Sequence, residues 1–183
     1  MKKLFKVSAL ILASALILIG CKQPTDESKP NKIELSDGNW TMKMVTDTSE
    51  GTVKGTFHFT VANGECTYTS GSYDTEVPLT GEELEYIDEL ASSPDIDINE
   101  ALHNFITGTP ENVIFSYDSN TKVLTTHQPM SSAALAQTTK SFDFSEPLPA
   151  GAEVTVNDDK TEYVLKYTED GVTSTITLTK DAE

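Results

Sequence analysis

Apolar and polar residues alternate along most of the chain after residue 33, with the period of two that is typical of half-buried β-strands. About nine segments show this pattern. Their members are Trp40, Met42 and Met44; Phe57, Phe59 and Val61; Cys66 and Tyr68; Val113, Phe115 and Tyr117; Lys122–His127; Phe142 and Phe144; Val154 and Val156; Tyr163, Leu165 and Tyr167; Ile176 and Leu178. The pattern predicts a mainly β fold.

Turn-forming residues separate several of these segments and predict which strands pair. Asp118-Ser119-Asn120-Thr121 stands between two strand-like runs, and Glu169-Asp170-Gly171 contains the Asp-Gly pair that is favoured in tight hairpins. We therefore expect two hairpins there, and three consecutive antiparallel strands at the start of the domain. The string Ser70-Gly71-Ser72 is interpreted as a turn or a strand bulge.

The period changes between the third and fourth strands, over residues 80–107. Thr80-Gly81-Glu82-Glu83 has the spacing of a capping box, and Asp97 precedes a second apolar stripe as a helix cap. The sequence thus predicts two short amphipathic helices inserted in the β pattern, with Pro94 and Gly108 as breakers.

The first twenty residues have the pattern of a signal peptide, with three lysines and then a short apolar run. That run is shorter than the roughly 20 residues needed to span a bilayer. Leu18-Ile19-Gly20-Cys21 resembles the lipobox of bacterial lipoproteins, which implies cleavage before Cys21 and lipidation of its sulfur. The alternatives are an uncleaved anchor, or an ordinary secretory signal followed by a chance cysteine.

This resemblance implies three regions in the chain. Residues 1–20 would be a cleaved signal peptide, residues 21–32 a lipidated cysteine with a flexible tether, and residues 33–183 a single β domain. The tether lacks aliphatic residues that could bury surface. The expected location is the cell envelope, at the outer membrane, because Lys22 rather than Asp follows the cysteine; whether the domain faces the periplasm or the cell surface stays open.

The chain is strongly acidic, with a formal net charge of −16, 29 Asp and Glu residues, and lysine as its only basic residue besides histidine. Three of the 13 lysines lie in the first twenty residues, so processing would make the product more acidic still. Binding to nucleic acid needs clustered basic residues, and the sequence therefore predicts no nucleic-acid partner. Membrane attachment would depend on the lipid at Cys21. Cys66, the other cysteine, is expected to be a small buried residue.

The strand pattern predicts an antiparallel up-and-down β-barrel of about 8–9 strands, with a β-sandwich as the alternative. Gly38-Asn39-Trp40 is similar to the Gly-x-Trp motif of lipocalins, and Thr161-Glu162-Tyr163 resembles that family's Thr-Asp-Tyr motif. The resemblance implies a lipocalin-like barrel with Trp40 at one end. The arginine that packs on this tryptophan in lipocalins is absent, so Lys180 is expected to replace it through a cation–π contact.

Candidate catalytic and metal-binding patterns are weak. Asp95–Asn99 opens like a calcium loop, but Glu100 replaces the required glycine, and helix capping by Asp97 explains the same residues. His58, His103 and His127 share no metal-ligand spacing, and no Gly-x-Ser-x-Gly elbow or glycine-rich phosphate loop occurs. The sequence predicts no enzymatic activity, no cofactor and no metal.

The function that remains is binding. A small closed barrel holds either side chains or one small ligand. The residues expected to line its interior are Trp40, Met42, Met44, Phe57, Phe59, Phe115 and Tyr117. The first hypothesis is a carrier of a small apolar ligand. The second is an interaction or structural lipoprotein with a filled core whose acidic loops meet a basic protein partner.

Overall fold

The computed structural model describes residues 33–106, 109–131, 133–135, 151–169 and 171–182, which contain eight strands and two helices. The strands are β1 (Gly38–Thr48), β2 (Gly51–Ala62), β3 (Glu65–Pro78), β4 (Ile114–Asp118), β5 (Val123–Pro129), β6 (Glu153–Val156), β7 (Glu162–Glu169) and β8 (Val172–Lys180). The helices are α1 (Gly81–Ser92) and α2 (Ile98–Phe105), both between β3 and β4. The mainly β fold and the two inserted helices are confirmed.

All eight strands form one antiparallel sheet in the order β4-β5-β3-β2-β1-β8-β7-β6. The three-strand start and the β4–β5 and β7–β8 hairpins are confirmed, although Asp170 of the second turn lies outside the described residues. The simple up-and-down order is wrong at one place, because β5 rather than β4 pairs with β3. The predicted segment at Phe142 and Phe144 also lies outside the described residues.

The sheet is not closed into a barrel, since β4 and β6 are its two edges in the described part of the chain. β1 lies inside the sheet and pairs with both β2 and β8, so the first and last strands are neighbours. Among the described helices, none is long and apolar enough to span a membrane.

The core is divided into two clusters. The larger cluster covers the buried face of β1, β2, β7 and β8 and most of β3; the smaller one lies between α1, α2 and the β3–β5 end of the sheet. Ile87 of α1 and Leu102 of α2 are fully buried in this smaller cluster. The helices therefore extend the sheet's apolar face at one end.

The two helix starts differ from each other. Asp97 caps α2 as predicted, since its Oδ1 accepts hydrogen bonds from the backbone N–H groups of Asn99 and Glu100 at 2.8 and 3.3 Å. The capping box predicted at Thr80 is wrong, because the Thr80 side chain makes no capping bond. Gly81, the first residue of α1, has φ +60, which takes the backbone out of the right-handed helical region where the cap would act.

Candidate functional site

The seven residues predicted to line one interior do not come together. Trp40, Met42, Met44, Phe57 and Phe59 lie together in the larger cluster. Phe115 belongs to the smaller cluster, and Tyr117 is half-buried against it. The prediction of a single seven-residue lining is therefore wrong, because β4 is separated from β2 in the sheet by β5 and β3.

The two short motifs that resemble lipocalin signatures meet at one end of the larger cluster. The rings of Trp40 and Tyr163 lie 6.1 Å apart, and Trp40 Nε1 donates a hydrogen bond to the Ser36 carbonyl at 2.9 Å. The Tyr163 hydroxyl donates to the Glu34 carbonyl at 3.0 Å. The segment before β1 is thus tied to both strands.

Lys180 lies at the same end, in register with Trp40 across the β1–β8 ladder. Its ammonium donates to Ser36 Oγ at 3.0 Å, and its Cε would lie only 2.8 Å from a Cβ built on Gly38. Gly38 also has φ +135, which side-chain-bearing residues rarely adopt. The bond to Ser36 is a polar contact of the Lys180 ammonium; the cation–π contact with Trp40 stays a prediction.

A bulge in β3 brings two tyrosines to the buried face. His58 of β2 pairs with Ser70, whereas the next residue, Phe59, pairs with Tyr68, so Thr69 is an extra residue in the ladder. Without that extra residue, Tyr68 and Tyr73 would point to opposite faces, because they are an odd number of positions apart. The bulge thus lies at Thr69, next to the predicted string, whereas Ser70, Gly71 and Ser72 themselves pair regularly with β2.

Phe57 lies between these two tyrosines. The centroid of its ring lies 6.2 Å from that of Tyr68 and 5.2 Å from that of Tyr73, and interplanar angles of 89° and 74° make both contacts edge-to-face. Phe59 adds a tilted contact with Tyr68 at 5.1 Å. We call Phe57, Phe59, Tyr68 and Tyr73 the aromatic cluster.

Two glycines make room for the aromatic cluster. Gly71 is the ladder partner of Phe57, and a Cβ there would lie 2.7 Å from Phe57 Cδ1 and 3.2 Å from Leu135 Cδ2. Gly55 is the ladder partner of Tyr73, and a Cβ there would meet Phe57 Cε2 at 2.7 Å. The Phe57 ring thus lies against Gly71 of the neighbouring strand and against Gly55 of its own strand, where a side chain on either glycine would collide with it.

The hydroxyls of Tyr68 and Tyr73 are buried and have no hydrogen-bond partner in the described part of the chain. The two side chains are only 7% and 6% exposed. Burial raises the pKa of both phenols, and the neighbouring Cys66 and Tyr73 raise that of Tyr68 further. Both groups therefore stay protonated and are available as O–H donors. Since buried polar groups are nearly always paired, two unpaired hydroxyls in one cluster are the most distinctive feature of this core.

A polar network joins α1 to the β4–β5 hairpin. The Tyr117 hydroxyl donates to Asp88 Oδ1 at 2.6 Å, and the Lys122 ammonium donates to both Asp88 oxygens at 3.1 and 3.0 Å. These bonds, from Tyr117 first and then from Lys122, hold the pKa of Asp88 below its ordinary value. Burial and the bond to Asp88 raise the pKa of Tyr117 to about 12. The network fastens the helices to the sheet and explains Tyr117 without a ligand.

The outer edge of β4 is covered by α2. Asn99 Oδ1 accepts a hydrogen bond from the Phe115 backbone N–H at 2.8 Å, and His103 Nε2 lies 2.6 Å from the Val113 carbonyl oxygen. An uncovered strand edge is a template for pairing with another chain. The helix therefore occupies main-chain groups that would otherwise be open to such pairing.

The helices also carry an exposed aromatic pair, Tyr86 on α1 and Phe105 on α2, with ring centroids 5.3 Å apart. They are 36% and 47% exposed. α1 contains no lysine. Its acidic residues stand on both sides of Tyr86 in the sequence and are Glu82, Glu83, Glu85, Asp88 and Glu89. An apolar spot in an acidic setting is suited to a partner that is both basic and apolar.

The other candidate groups from the sequence are separate in the structure. His58 contacts Thr41, His103 contacts Val113, and His127 lies 2.7 Å from Asp74. The described residues contain no group of three or more metal-ligating side chains placed to hold a metal. Cys66 is half-buried against the larger cluster rather than fully buried, and Cys21 lies outside the described residues.

Comparison of the chain with protein-family models, with curated proteins and with solved structures finds no match.

Proposed function

We propose that this chain is a membrane-anchored lipoprotein whose β domain binds a small apolar ligand against the buried face of β2 and β3. The observation that carries the proposal is the pair of buried hydroxyls, of Tyr68 and Tyr73, that find no hydrogen-bond partner among the described residues. Binding sites for small molecules are largely apolar and contain a few fixed polar groups that orient the ligand. The aromatic cluster combines these two properties.

The adjoining residues of the larger cluster support the same function. Met42 and Met44 on β1 are fully buried in it. Methionine side chains are flexible and adapt to irregular apolar shapes. A ligand that enters the cluster would be accommodated by rotation of these side chains, while the glycines hold the aromatic rings in place.

The lipocalin-like relationship is part of this proposal. It is supported by the contact between Trp40 and Tyr163, which brings the two motif segments together at one end of the core. In the described residues β4 and β6 are the two edges of the sheet and do not pair with each other, which departs from that family's closed barrel. The proposed ligand therefore sits on one face of an open sheet.

Ligand binding is tested by native mass spectrometry of the full chain, purified in a mild detergent and incubated with an apolar extract of the cells that make it. The expected result is a discrete added mass that disappears on denaturation. An unchanged mass after incubation would overturn the proposed binding function.

The membrane anchor is tested by growing cells with radiolabelled palmitate. Wild-type chain should be labelled and sediment with membranes, whereas C21S should be unlabelled. The matched control is C66S, which removes the other cysteine and should keep the label. Label retained by C21S would show that Cys21 is not the lipidation site.

A second candidate function, as an interaction protein for a basic partner, is favoured by the exposed pair of Tyr86 and Phe105. Their removal in the Y86A/F105A variant should abolish capture of a lysine-rich amphipathic peptide by the wild-type chain. Capture should also weaken as salt is raised, since the acidic side chains of α1 would supply the attraction.

A further inference from the structure

We propose that the ligand is an uncharged, largely apolar molecule that carries a carbonyl-type oxygen, and that the buried hydroxyls of Tyr68 and Tyr73 are the hydrogen-bond donors of its site. This inference rests on the proposed binding function and names the chemical class of the ligand. It is carried by the burial, protonation and placement of these two groups.

A buried hydroxyl that lacks a hydrogen bond destabilises the folded chain relative to one that is paired, because the group has lost its water and gained nothing. Within the described part of the chain, Tyr68 and Tyr73 both lack a partner, and both belong to one cluster. A ligand that brings a carbonyl oxygen to these hydroxyls supplies the missing acceptor.

Phe57 contacts both tyrosine rings, and Gly55 and Gly71 leave room for the Phe57 ring. The bulge at Thr69 is what turns Tyr68 to the same face as Tyr73. The two donors are therefore held by packing before any ligand arrives, which lowers the entropy lost on binding.

Among the described residues, the buried polar side chains are Thr46, Thr75, Thr126 and Ser174, and none of these is charged. A charged ligand in these surroundings would have no counter-charge, and desolvation of an isolated charge is far more costly than that of a carbonyl. The net charge of −16 further disfavours an anionic ligand. An uncharged molecule satisfies both conditions.

The test compares benzophenone with diphenylmethane, two molecules of similar shape that differ in the carbonyl oxygen. Native mass spectrometry of the full chain in detergent gives the affinity of each, for wild type, Y68F, Y73F and Y68F/Y73F. The matched control is Y86F, which removes a hydroxyl from the exposed tyrosine of α1. Circular dichroism checks that each variant is folded.

The expected result is that wild type and Y86F bind benzophenone about tenfold more tightly than diphenylmethane. This preference should shrink in each single variant and disappear in Y68F/Y73F, while diphenylmethane binding stays unchanged. Equal binding of both molecules by wild type would overturn the inference and leave the proposed function standing. Failure of wild type to bind either molecule would overturn the proposed function itself.

Discussion

The ring of Phe57 lies across Gly71, its partner in the β2–β3 ladder, and a Cβ on Gly71 would come within 2.7 Å of Phe57 Cδ1. The backbone at Gly71 has no unusual φ, so the glycine is required by the ring rather than by the main chain. This relationship decides where the aromatic cluster sits. It also means that even one methyl group added at position 71 would collide with the Phe57 ring.

We expect G71A to lower the free energy of unfolding by about 1–3 kcal/mol, the usual cost of overpacking a core. Chemical denaturation measures the change, and S70A, at the neighbouring exposed position, is the control. In an F57L background the same G71A change should cost clearly less, because the two residues are coupled. An equal cost in both backgrounds would mean that the ring does not set the requirement for glycine.

The three buried tyrosines should respond in opposite directions to loss of their hydroxyls. Y68F and Y73F remove hydroxyls that have no partner in the described structure and should raise stability, by up to about 1–3 kcal/mol each. Y163F removes a hydroxyl that is bonded to the Glu34 carbonyl and should lower stability by about 1 kcal/mol. Thermal unfolding of the ligand-free chain distinguishes the two classes. A loss of stability in all three variants would show that Tyr68 and Tyr73 have partners within the chain.

N99A should uncover part of the β4 edge. The Phe115 N–H would lose its acceptor, so stability should fall by about 1 kcal/mol and exchange of the Phe115 amide proton should accelerate. N104A, an exposed change on the same helix, is the matched control. The account of edge protection fails if Phe115 exchanges at the same rate in N99A and wild type.

Asp88 should contribute to the acid sensitivity of the fold. The bonds from Tyr117 and Lys122 hold the pKa of its carboxyl below the ordinary value, so the folded state binds the proton less readily than the unfolded chain does. The resulting stability is present above the unfolded pKa, about 4, and is lost as the pH falls through the lower folded value.

This sign is tested by measuring the free energy of unfolding of wild type and D88N between neutral pH and about pH 3. The curve for D88N should be less steep than that of wild type below about pH 4. D95N, which changes an exposed carboxylate between the two helices, serves as the control. Identical slopes for wild type and D88N would rule out this role for the network.

Local patterns in the sequence predicted most of the elements of the fold. The alternation predicts β1, β2 and the two hairpins because each strand buries one face, and that property is visible over a few residues. The Asp97 cap is equally local, since the acceptor and its amide donors lie within three residues. The order of the strands in the sheet was harder to predict from the sequence. Pairing of β5 with β3 depends on how the two helices return the chain to the sheet, which no short motif encodes.

The candidate site was predicted only in part. Trp40, Met42, Met44, Phe57 and Phe59 were identified from their alternation and share one cluster. Tyr73 was missed because the bulge shifts the phase of β3, and a pattern that is read with a constant period assigns it to the outer face. Gly55 and Gly71, spaced within strands, were the available signal, since a glycine in a strand often marks a bulge or close packing by a neighbour.

The most direct test of the central claim is to find where an apolar carbonyl compound binds. Benzophenone is incubated with the full chain in detergent, irradiated so that its carbonyl forms a covalent bond with nearby C–H groups, and the labelled peptides are identified by mass spectrometry. We expect labelling of residues 53–77, around the aromatic cluster, that is weakened in Y68F/Y73F and kept in Y86F. Labelling confined to Tyr86 and Phe105 on the helices, or spread evenly over the chain, would contradict a ligand site on the buried face of the sheet.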